Sequence, residues 1–147
     1  MITWVCKPFG ELSADELYAI LQLRSAVFVV EQQCVFLDAD DKDQPSFHLM
    51  GWEDAVLVAY TRLVPPGVAY EEPSIGRVVT AITARGSGIG RLLMQRSITE
   101  CKKLFGARTI RIGAQLYLKE FYGSLGLIPT GGIYPEDGID HIHMLLS

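Results

Sequence analysis

A glycine-rich loop flanked by arginines is the part of this 147-residue chain whose residue types point most directly to chemistry. Residues 85–90 read Arg-Gly-Ser-Gly-Ile-Gly, and Arg91 follows them. Glycines let the backbone turn sharply and let an outside group approach the amides closely. A strand is predicted before the loop and a helix from Ile89 onward, and the free N–H groups and dipole of a helix start attract anions. The loop therefore predicts a phosphate-binding site.

Glycine spacing discriminates between the common phosphate loops. A P-loop requires Gly, four residues and then Gly-Lys-Ser/Thr, whereas Arg91 stands five residues after Gly86 without the Lys and the Ser/Thr that would hold Mg²⁺. A dinucleotide fingerprint requires Gly-x-Gly-x-x-Gly, whereas the glycines here alternate at positions 86, 88 and 90. Both sites are disfavoured, and an ordinary glycine-rich βα turn is the alternative to a phosphate site.

Ten elements are predicted to position this loop. Ser13 and Glu16 have the spacing of a capping box at the start of the first helix. Apolar periodicity predicts helices at residues 13–28, 89–105 and 116–125, and strands at residues 3–7, 47–52, 56–63, 75–80, 109–113, 127–134 and 141–146. The order β-α-β-β-β-α-β-α-β-β predicts an α+β fold whose sheet is covered by helices, in one domain over residues 1–147.

Composition restricts the class of protein. With 49% apolar and 20% charged residues the chain is typical of a globular protein, and its apolar runs are far shorter than the ~20 residues of a membrane span. Its first residues lack the pattern of a secretory signal. Three cysteines without metal or redox spacing predict a cytoplasmic location and no metal site. A net charge of −4 argues against a nucleic-acid partner.

Acidic residues cluster in one predicted loop. Asp38, Asp40, Asp41 and Asp43 lie close together before the second strand. A solvated loop is the simplest interpretation, because charged loop residues are usually exposed. The alternative is a rim whose field attracts a cationic amine.

Two motifs resemble those of one enzyme family. Arg85, Gly88 and Gly90 match the Arg/Gln-x-x-Gly-x-Gly/Ala loop with which the GNAT superfamily of N-acetyltransferases binds pyrophosphate. Tyr122 and Gly126 match that superfamily's Tyr-x-x-x-Gly-Phe segment, with Leu in place of Phe. Phrases at residues 24–32, 48–49, 75–79 and 137–144 extend the resemblance over nearly the whole chain, to the ElaA-like subgroup of small bacterial GNAT proteins.

The resemblance implies a fold and an activity. The implied fold is a GNAT-like mixed, mostly antiparallel sheet with helices on both faces. The implied activity is direct transfer of an acetyl group from acetyl-CoA, the co-substrate, to a small-molecule or peptide amine, and a homodimer is compatible with it. Because a fold does not fix a function, a non-catalytic acyl-CoA-binding sensor or interaction module is the alternative. The presence of Tyr122 favours the enzyme.

The resemblance also assigns residues to the co-substrate. Backbone amides around residues 78–80 would hold the thioester end and pantetheine, the loop would hold pyrophosphate, and Tyr122 would protonate the departing sulfur. A phenol is a competent acid for this step, and a core tyrosine is the alternative role. Gln115 stands where many GNAT enzymes carry Asn, and Asp140 where the subgroup usually has Pro. The implied cofactor-binding residues are Val78, Val79, Thr80, Arg85, Gly86, Ser87, Gly88, Ile89, Gly90, Arg91, Gln115 and Tyr122.

Three residues are candidates for the base that accepts the amine proton. Glu31 follows an apolar run, and burial raises the pKa of a carboxylate towards neutrality. His48 and His141 are candidates because imidazoles titrate near neutral pH. The structural alternatives are an ion pair of Glu31 with Arg24 or Arg62, and histidines whose hydrogen bonds are satisfied within strands. Arg24 and Arg77 are predicted to anchor structure or a carboxylate.

Overall fold

The computed structural model describes residues 1–147, and its strands form one sheet. The strands are β1 (Thr3–Pro8), β2 (Phe47–Glu53), β3 (Val56–Val64), β4 (Ser74–Thr80), β5 (Ile110–Gln115), β6 (Ile128–Glu136) and β7 (Ile139–Leu146). They lie in the order β1-β2-β3-β4-β5-β7-β6, and every neighbouring pair is antiparallel except β4 and β5. The predicted mixed, mostly antiparallel sheet is confirmed.

Three α-helices connect the strands. They are α1 (Ala14–Arg24), α2 (Ile89–Phe105) and α3 (Lys119–Ser124). The predicted capping box of α1 is confirmed, because the Glu16 amide donates to Ser13 Oγ at 3.0 Å and the Ser13 amide donates to Glu16 Oε1 at 2.8 Å. None of the helices combines the length and the apolar character that crossing a bilayer requires.

Two helices differ from their predicted form. The first was expected to run as an α-helix to about residue 28, but α1 ends at Arg24 and continues as a π-helix over Ser25–Glu31. This segment contains three valines, and β-branched side chains crowd the preceding turn of an α-helix. The helix predicted from Leu116 begins instead as a 3₁₀ turn, Leu116–Leu118, and becomes α-helical only in α3. The π-helix wraps the mouth of the cleft described below.

Alternation along the strands gives the sheet two apolar faces. Met50 and Tyr60 pack with Ile20 of α1 on one face. Leu49 of β2 packs on the other face with Leu93 of α2. A larger cluster continues that second face under α2 and α3, and comprises Leu63, Ile75, Met94, Cys101, Ile110, Ile112, Ala114, Tyr122, Leu127, Ile142 and Met144. Helices therefore cover both faces, as predicted.

The parallel pair at the centre of the sheet opens a gap. β4 and β5 are paired only at Ser74 and Arg111, after which the two strands separate. The β5-facing peptide groups of β4 beyond Ser74 consequently have no strand partner, and backbone polar groups require one. The gap is the entrance to a cleft that residues of both strands line.

Candidate active site

A cleft of about 560 Å³ occupies the gap between β4 and β5. This is a typical volume for a small-molecule site. One end is formed by the glycine-rich loop and α3, including Arg85, Gly90 and Tyr122. The other end is formed by the loop after the π-helix, by β3 and by the β6–β7 turn, including Lys42, Arg62, Glu136 and His141. We call these the loop end and the charged end of the cleft.

A β-bulge shapes the β4 wall. Tyr60 pairs with Val79 and Arg62 with Gly76, so two residues of β4 oppose the single Thr61 of β3. Arg77, inside the bulge, has φ +49°, which is uncommon for a non-glycine residue. The bulge reverses the alternation of side chains: Ile75 packs towards α2 whereas Val79 packs towards α1. Val78, Val79 and Thr80 all line the cleft.

The loop end combines glycine turns with a helix start. Gly86 and Gly88 have φ of +88° and +78°, and Gly88 is the N-cap of the 17-residue α2. Side chains rarely adopt this backbone conformation, so the turn requires glycine. The Ser87 hydroxyl donates to the Ala84 carbonyl at 2.8 Å and ties the loop to itself. The free amides at the N-terminus of α2 give this end the character of an anion site.

Two predicted loop residues point elsewhere. The Ile89 side chain is buried in the core with Leu93, so only its backbone is available to a ligand. The Arg91 guanidinium donates to Ser124 Oγ at 2.9 Å and joins the first turn of α2 to the end of α3. The structure thus brings Arg85 and Gly90 to the cleft but turns the side chain of Arg91 away from it.

Tyr122 faces the cleft from α3. The residue is 5% exposed and lines the cleft. Burial raises the pKa of Tyr122 further above its ordinary value, so the phenol keeps its proton at neutral pH. Gln115 also lines the cleft, and its side-chain amide exchanges two hydrogen bonds of 3.3 Å with Gln32.

Glu31 is paired with Arg85. The two side chains form a bidentate contact of 2.6 and 2.8 Å, and Arg85 also donates to the Thr80 carbonyl at 3.2 Å. The hydrogen bonds from Arg85 lower the pKa of Glu31, which opposes a role as base. The pair closes the mouth between the π-helix and the glycine-rich loop, in place of the expected pairing with Arg24 or Arg62.

His48 lies in the core and outside the cleft. It is fully buried, and both ring nitrogens have partners: Nε2–H donates to the Asp43 carbonyl at 2.9 Å, and Nδ1 accepts from the Tyr60 hydroxyl at 2.6 Å. Burial lowers the pKa of His48, so the ring is neutral. His48 is therefore better described as a strand histidine with satisfied hydrogen bonds than as the base.

His141 is the only one of the three histidines that lines the cleft. Its Nδ1–H donates to the Ile139 carbonyl at 2.8 Å, which leaves Nε2 as the lone-pair nitrogen. Nε2 lies 3.5 Å from Glu136 Oε2, so a proton gained there would form an ion pair. His141 is 7% exposed and is the cross-strand partner of Gln115 between β7 and β5, at the depth of the bulge in β4. This geometry suits a group that accepts a proton.

The predicted acidic rim is wrong for three of its four members. We call the three arginines and three aspartates involved the arginine–aspartate network: Arg24, Arg62, Arg77, Asp38, Asp40 and Asp43. Asp43 accepts from Arg24 at 2.7 Å and from Arg62 at 2.9 Å. Burial opposes ionisation of Asp43, but the hydrogen bonds from the two arginines outweigh it and lower its pKa. Only Asp41 remains an exposed, unpaired carboxylate.

The remaining members complete the network. Arg62 binds Asp40 in a bidentate contact of 2.7 and 2.9 Å, and Arg77 donates to Asp38 at 2.8 Å. Arg24, which also donates to Asp38 at 2.8 Å, is fully buried. The predicted structural role of Arg24 and Arg77 is therefore confirmed. The loop is a folded wall of the cleft rather than a solvated segment.

Several residues in or beside the cleft were missed by sequence reasoning. Tyr70 and Tyr134 converge over Gly113, where a Cβ would lie 2.7 Å from the Tyr134 hydroxyl oxygen. Tyr134 also stacks on His143 with ring centroids 4.8 Å apart, and burial raises its pKa to about 12. Lys42 lines the charged end without an ion pair. The one sequence feature that could have pointed to these residues is the glycine at position 113.

Metal chemistry has no preformed site in residues 1–147. No group of three or more His, Cys, Asp or Glu side chains converges to hold an ion. The three cysteines are free thiols, and Cys34 donates to the Asp137 carbonyl at 3.0 Å.

Comparisons with known proteins agree with this arrangement. The family model of the acetyltransferase (GNAT) domain matches residues 27–147. Protein ElaA of Escherichia coli is 42% identical over 98% of this chain and 95% of its own length. Its crystal structure superposes with a TM-score of 0.93 at 40% identity, covering 100% of both chains. The crystal structure of an acyl-CoA N-acyltransferase from Pseudomonas aeruginosa superposes with a TM-score of 0.96, also at 40% identity and covering 100% of both chains.

Proposed function

Because this chain belongs to the GNAT family of acyltransferases, we propose that its cleft transfers an acetyl group from acetyl-CoA directly to an amine. The observation that carries the proposal is the single cleft that joins a helix-start anion site, an unpaired strand edge and a buried phenol. The anion site suits the diphosphate of CoA, the strand edge suits the amides of its pantetheine arm, and the phenol suits the departing thiolate. The three features follow one another in the same order as these parts of CoA.

The donor is proposed to lie along β4. The diphosphate would accept hydrogen bonds from the amides of the glycine-rich loop, where the dipole of α2 adds partial positive charge. The pantetheine amides would pair with the free edge of β4 at residues 78–80. The same N–H groups could polarise the thioester carbonyl, which would stabilise the negative charge that develops on its oxygen.

The reaction needs a neutral amine and a protonated leaving group. In the proposed sequence the neutral amine attacks the thioester carbon, one of its N–H protons passes to His141 Nε2, and the C–S bond breaks as the amide bond forms. The thiolate then takes its proton from Tyr122. His141 is preferred to Glu31 and His48 because only its ring combines a position in the cleft with a free lone pair.

The experiment is an acceptor-dependent thiol assay. The protein is incubated with acetyl-CoA and a panel of small amines and peptides, free CoA thiol is followed, and acetylated acceptors are identified by mass. The proposal expects thiol release that requires an amine and matches the acetylated product in amount. Binding of acetyl-CoA without transfer to any amine would instead support the non-catalytic sensor.

A further inference from the structure

The charged end of the cleft has walls of opposite charge. On the β3–β4 side lie Lys42 and the arginine–aspartate network, whose three arginines and three aspartates balance one another, so Lys42 is a net positive charge. On the β7 side lie Glu136 and Asp137, next to His141. Since β4 and β5 separate between these two sides, a ligand in the cleft meets a cation on one side and anions on the other.

A buried donor on the positive side has no partner. Arg62 is 4% exposed and lines the cleft, and its Nη atoms are used by Asp40 and Asp43. Its Nε–H is buried without any hydrogen bond. Buried donors in native proteins almost always have an acceptor. A ligand oxygen in the cleft would supply one to the Arg62 Nε–H after a small shift of the side chains that cover it. The cross-strand neighbour of Arg62 is Gly76, and a Cβ there would meet nothing within 4 Å, so the β4 position opposite Arg62 is open.

Strand register sets the two charges at different depths. Depth is counted along the strands from the one paired position of β4 and β5, Ser74 with Arg111. His141 pairs with Gln115, four residues beyond Arg111 on β5. Arg62 pairs with Gly76, two residues beyond Ser74 on β4. At about 3.3 Å per residue the two positions differ by roughly 7 Å along the cleft. A group near His141 is therefore close to the bulge in β4, and a group near Arg62 is deeper, towards the closed end.

From these observations we infer that the acceptor carries a carboxylate a few bonds from its amine, as in a short amino acid. Lys42 and the Arg62 Nε–H bind the carboxylate, and the amine lies beside Glu136 and His141. The inference rests on the proposed function and names its acceptor class. It replaces the prediction that an acidic rim attracts a cationic amine, because arginines neutralise the carboxylates of that rim.

The test compares each amino acid with its own amide and with the decarboxylated amine. The amide keeps the shape and lacks the charge, and its less basic amine is more often neutral, so basicity alone would favour the amide. We expect kcat/KM for the acid to exceed that for the amide at least about tenfold, the size of a charge-assisted hydrogen bond. Equal or better turnover of amides or decarboxylated amines would overturn the inference and leave the proposed transferase intact.

A charge-removing variant identifies the binding residue. Lys42→Met should reduce the preference for acid over amide about fivefold, because the carboxylate loses an ion-pair partner. The matched control is Lys103→Met, which removes an exposed lysine of α2 far from the cleft and should leave the preference unchanged. An unchanged preference in Lys42→Met would contradict the assignment.

A binding measurement covers the case without turnover. Thermal shifts are recorded with acetyl-CoA alone and with CoA plus each compound. If acetyl-CoA stabilises the protein but amino acids neither add to the shift nor are acetylated, the inference fails while the donor site stands. If acetyl-CoA itself gives no shift, the proposed function fails with it.

Discussion

The loop end and the charged end of the cleft are built from different parts of the chain. The loop end offers mainly backbone amides, from a turn with positive φ at Gly86 and Gly88 and from the start of α2. The charged end offers side chains, held by ion pairs that are largely buried. It follows that an added Cβ should impair ligand binding at the loop end, whereas a lost charge should impair the charged end. The fold should tolerate the added Cβ better than the lost charge.

Tyr122, at the loop end, should give the largest effect. Tyr122→Phe removes one oxygen and little volume, so the fold and acetyl-CoA affinity should survive while kcat falls on the order of 10²–10⁴-fold, as for loss of a general acid. A CoA analogue with a more acidic thiol should lose less. The control is Tyr18→Phe, at an exposed position on α1. Full kcat in Tyr122→Phe, with chemistry limiting the rate, would leave the tyrosine a packing role only.

The charged end should respond to charge through stability. Asp43→Asn leaves Arg24 and Arg62 without a shared anion and should lower the free energy of unfolding by about 3 kcal/mol. Asp41→Asn, in the same loop but exposed and at φ +63°, should change it by less than about 0.5 kcal/mol. Denaturant unfolding of both variants measures the difference. Equal stability would mean that the network contributes little.

Acid should weaken the same region. The pKa values of Asp40 and Asp43 are lowered in the folded state, since hydrogen bonds from arginines outweigh the burial that opposes ionisation, and burial lowers that of His48. In each case the unfolded chain binds the proton more readily, so stability is full above the unfolded values, about 6.5 for His and 3.9 for Asp, and is lost as pH falls below them. Asp43→Asn should therefore show a shallower loss below about pH 4. An identical slope would contradict this linkage.

The loop end should respond to added volume. Gly90 has ordinary helical φ, and a Cβ there would lie 4.0 Å from the nearest atom, on Phe121, so Gly90→Val should fold. Because the valine would fill the approach to the loop amides, we expect KM for acetyl-CoA to rise about tenfold, as for loss of a charge-assisted hydrogen bond. Gly123→Val, a helical glycine of α3 in open space, is the matched control. Equal KM values in the two variants would place the diphosphate elsewhere.

The pair at the mouth should matter least. Glu31→Gln breaks an exposed ion pair, which is worth little in water, so kcat should change less than about threefold. The pH dependence of kcat/KM should persist in this variant and disappear in His141→Gln. The opposite result would make Glu31 the base.

The loop end was easier to predict from the sequence than the charged end, because the two ends are built from different parts of the chain. The glycine loop and the capping box depend on residues within a few positions of one another, so spacing alone revealed them. The arginine–aspartate network joins residues 14 to 39 positions apart, and its ion pairs exist only once strand register is set. The general exposure of charged loops therefore misled at Asp38, Asp40 and Asp43. The bulge at Arg77 had no signal either, because arginine is not a residue that favours positive φ.

Direct transfer in one cleft is the central claim, and initial rates test it most directly. Acetyl-CoA and an accepted amine are varied together while CoA release is followed. Because both substrates are proposed to occupy the cleft at once, the double-reciprocal lines should intersect, and no acetylated protein should accumulate without the amine. Parallel lines with a burst of thiol in the absence of amine would show an acetyl-enzyme intermediate and contradict direct transfer.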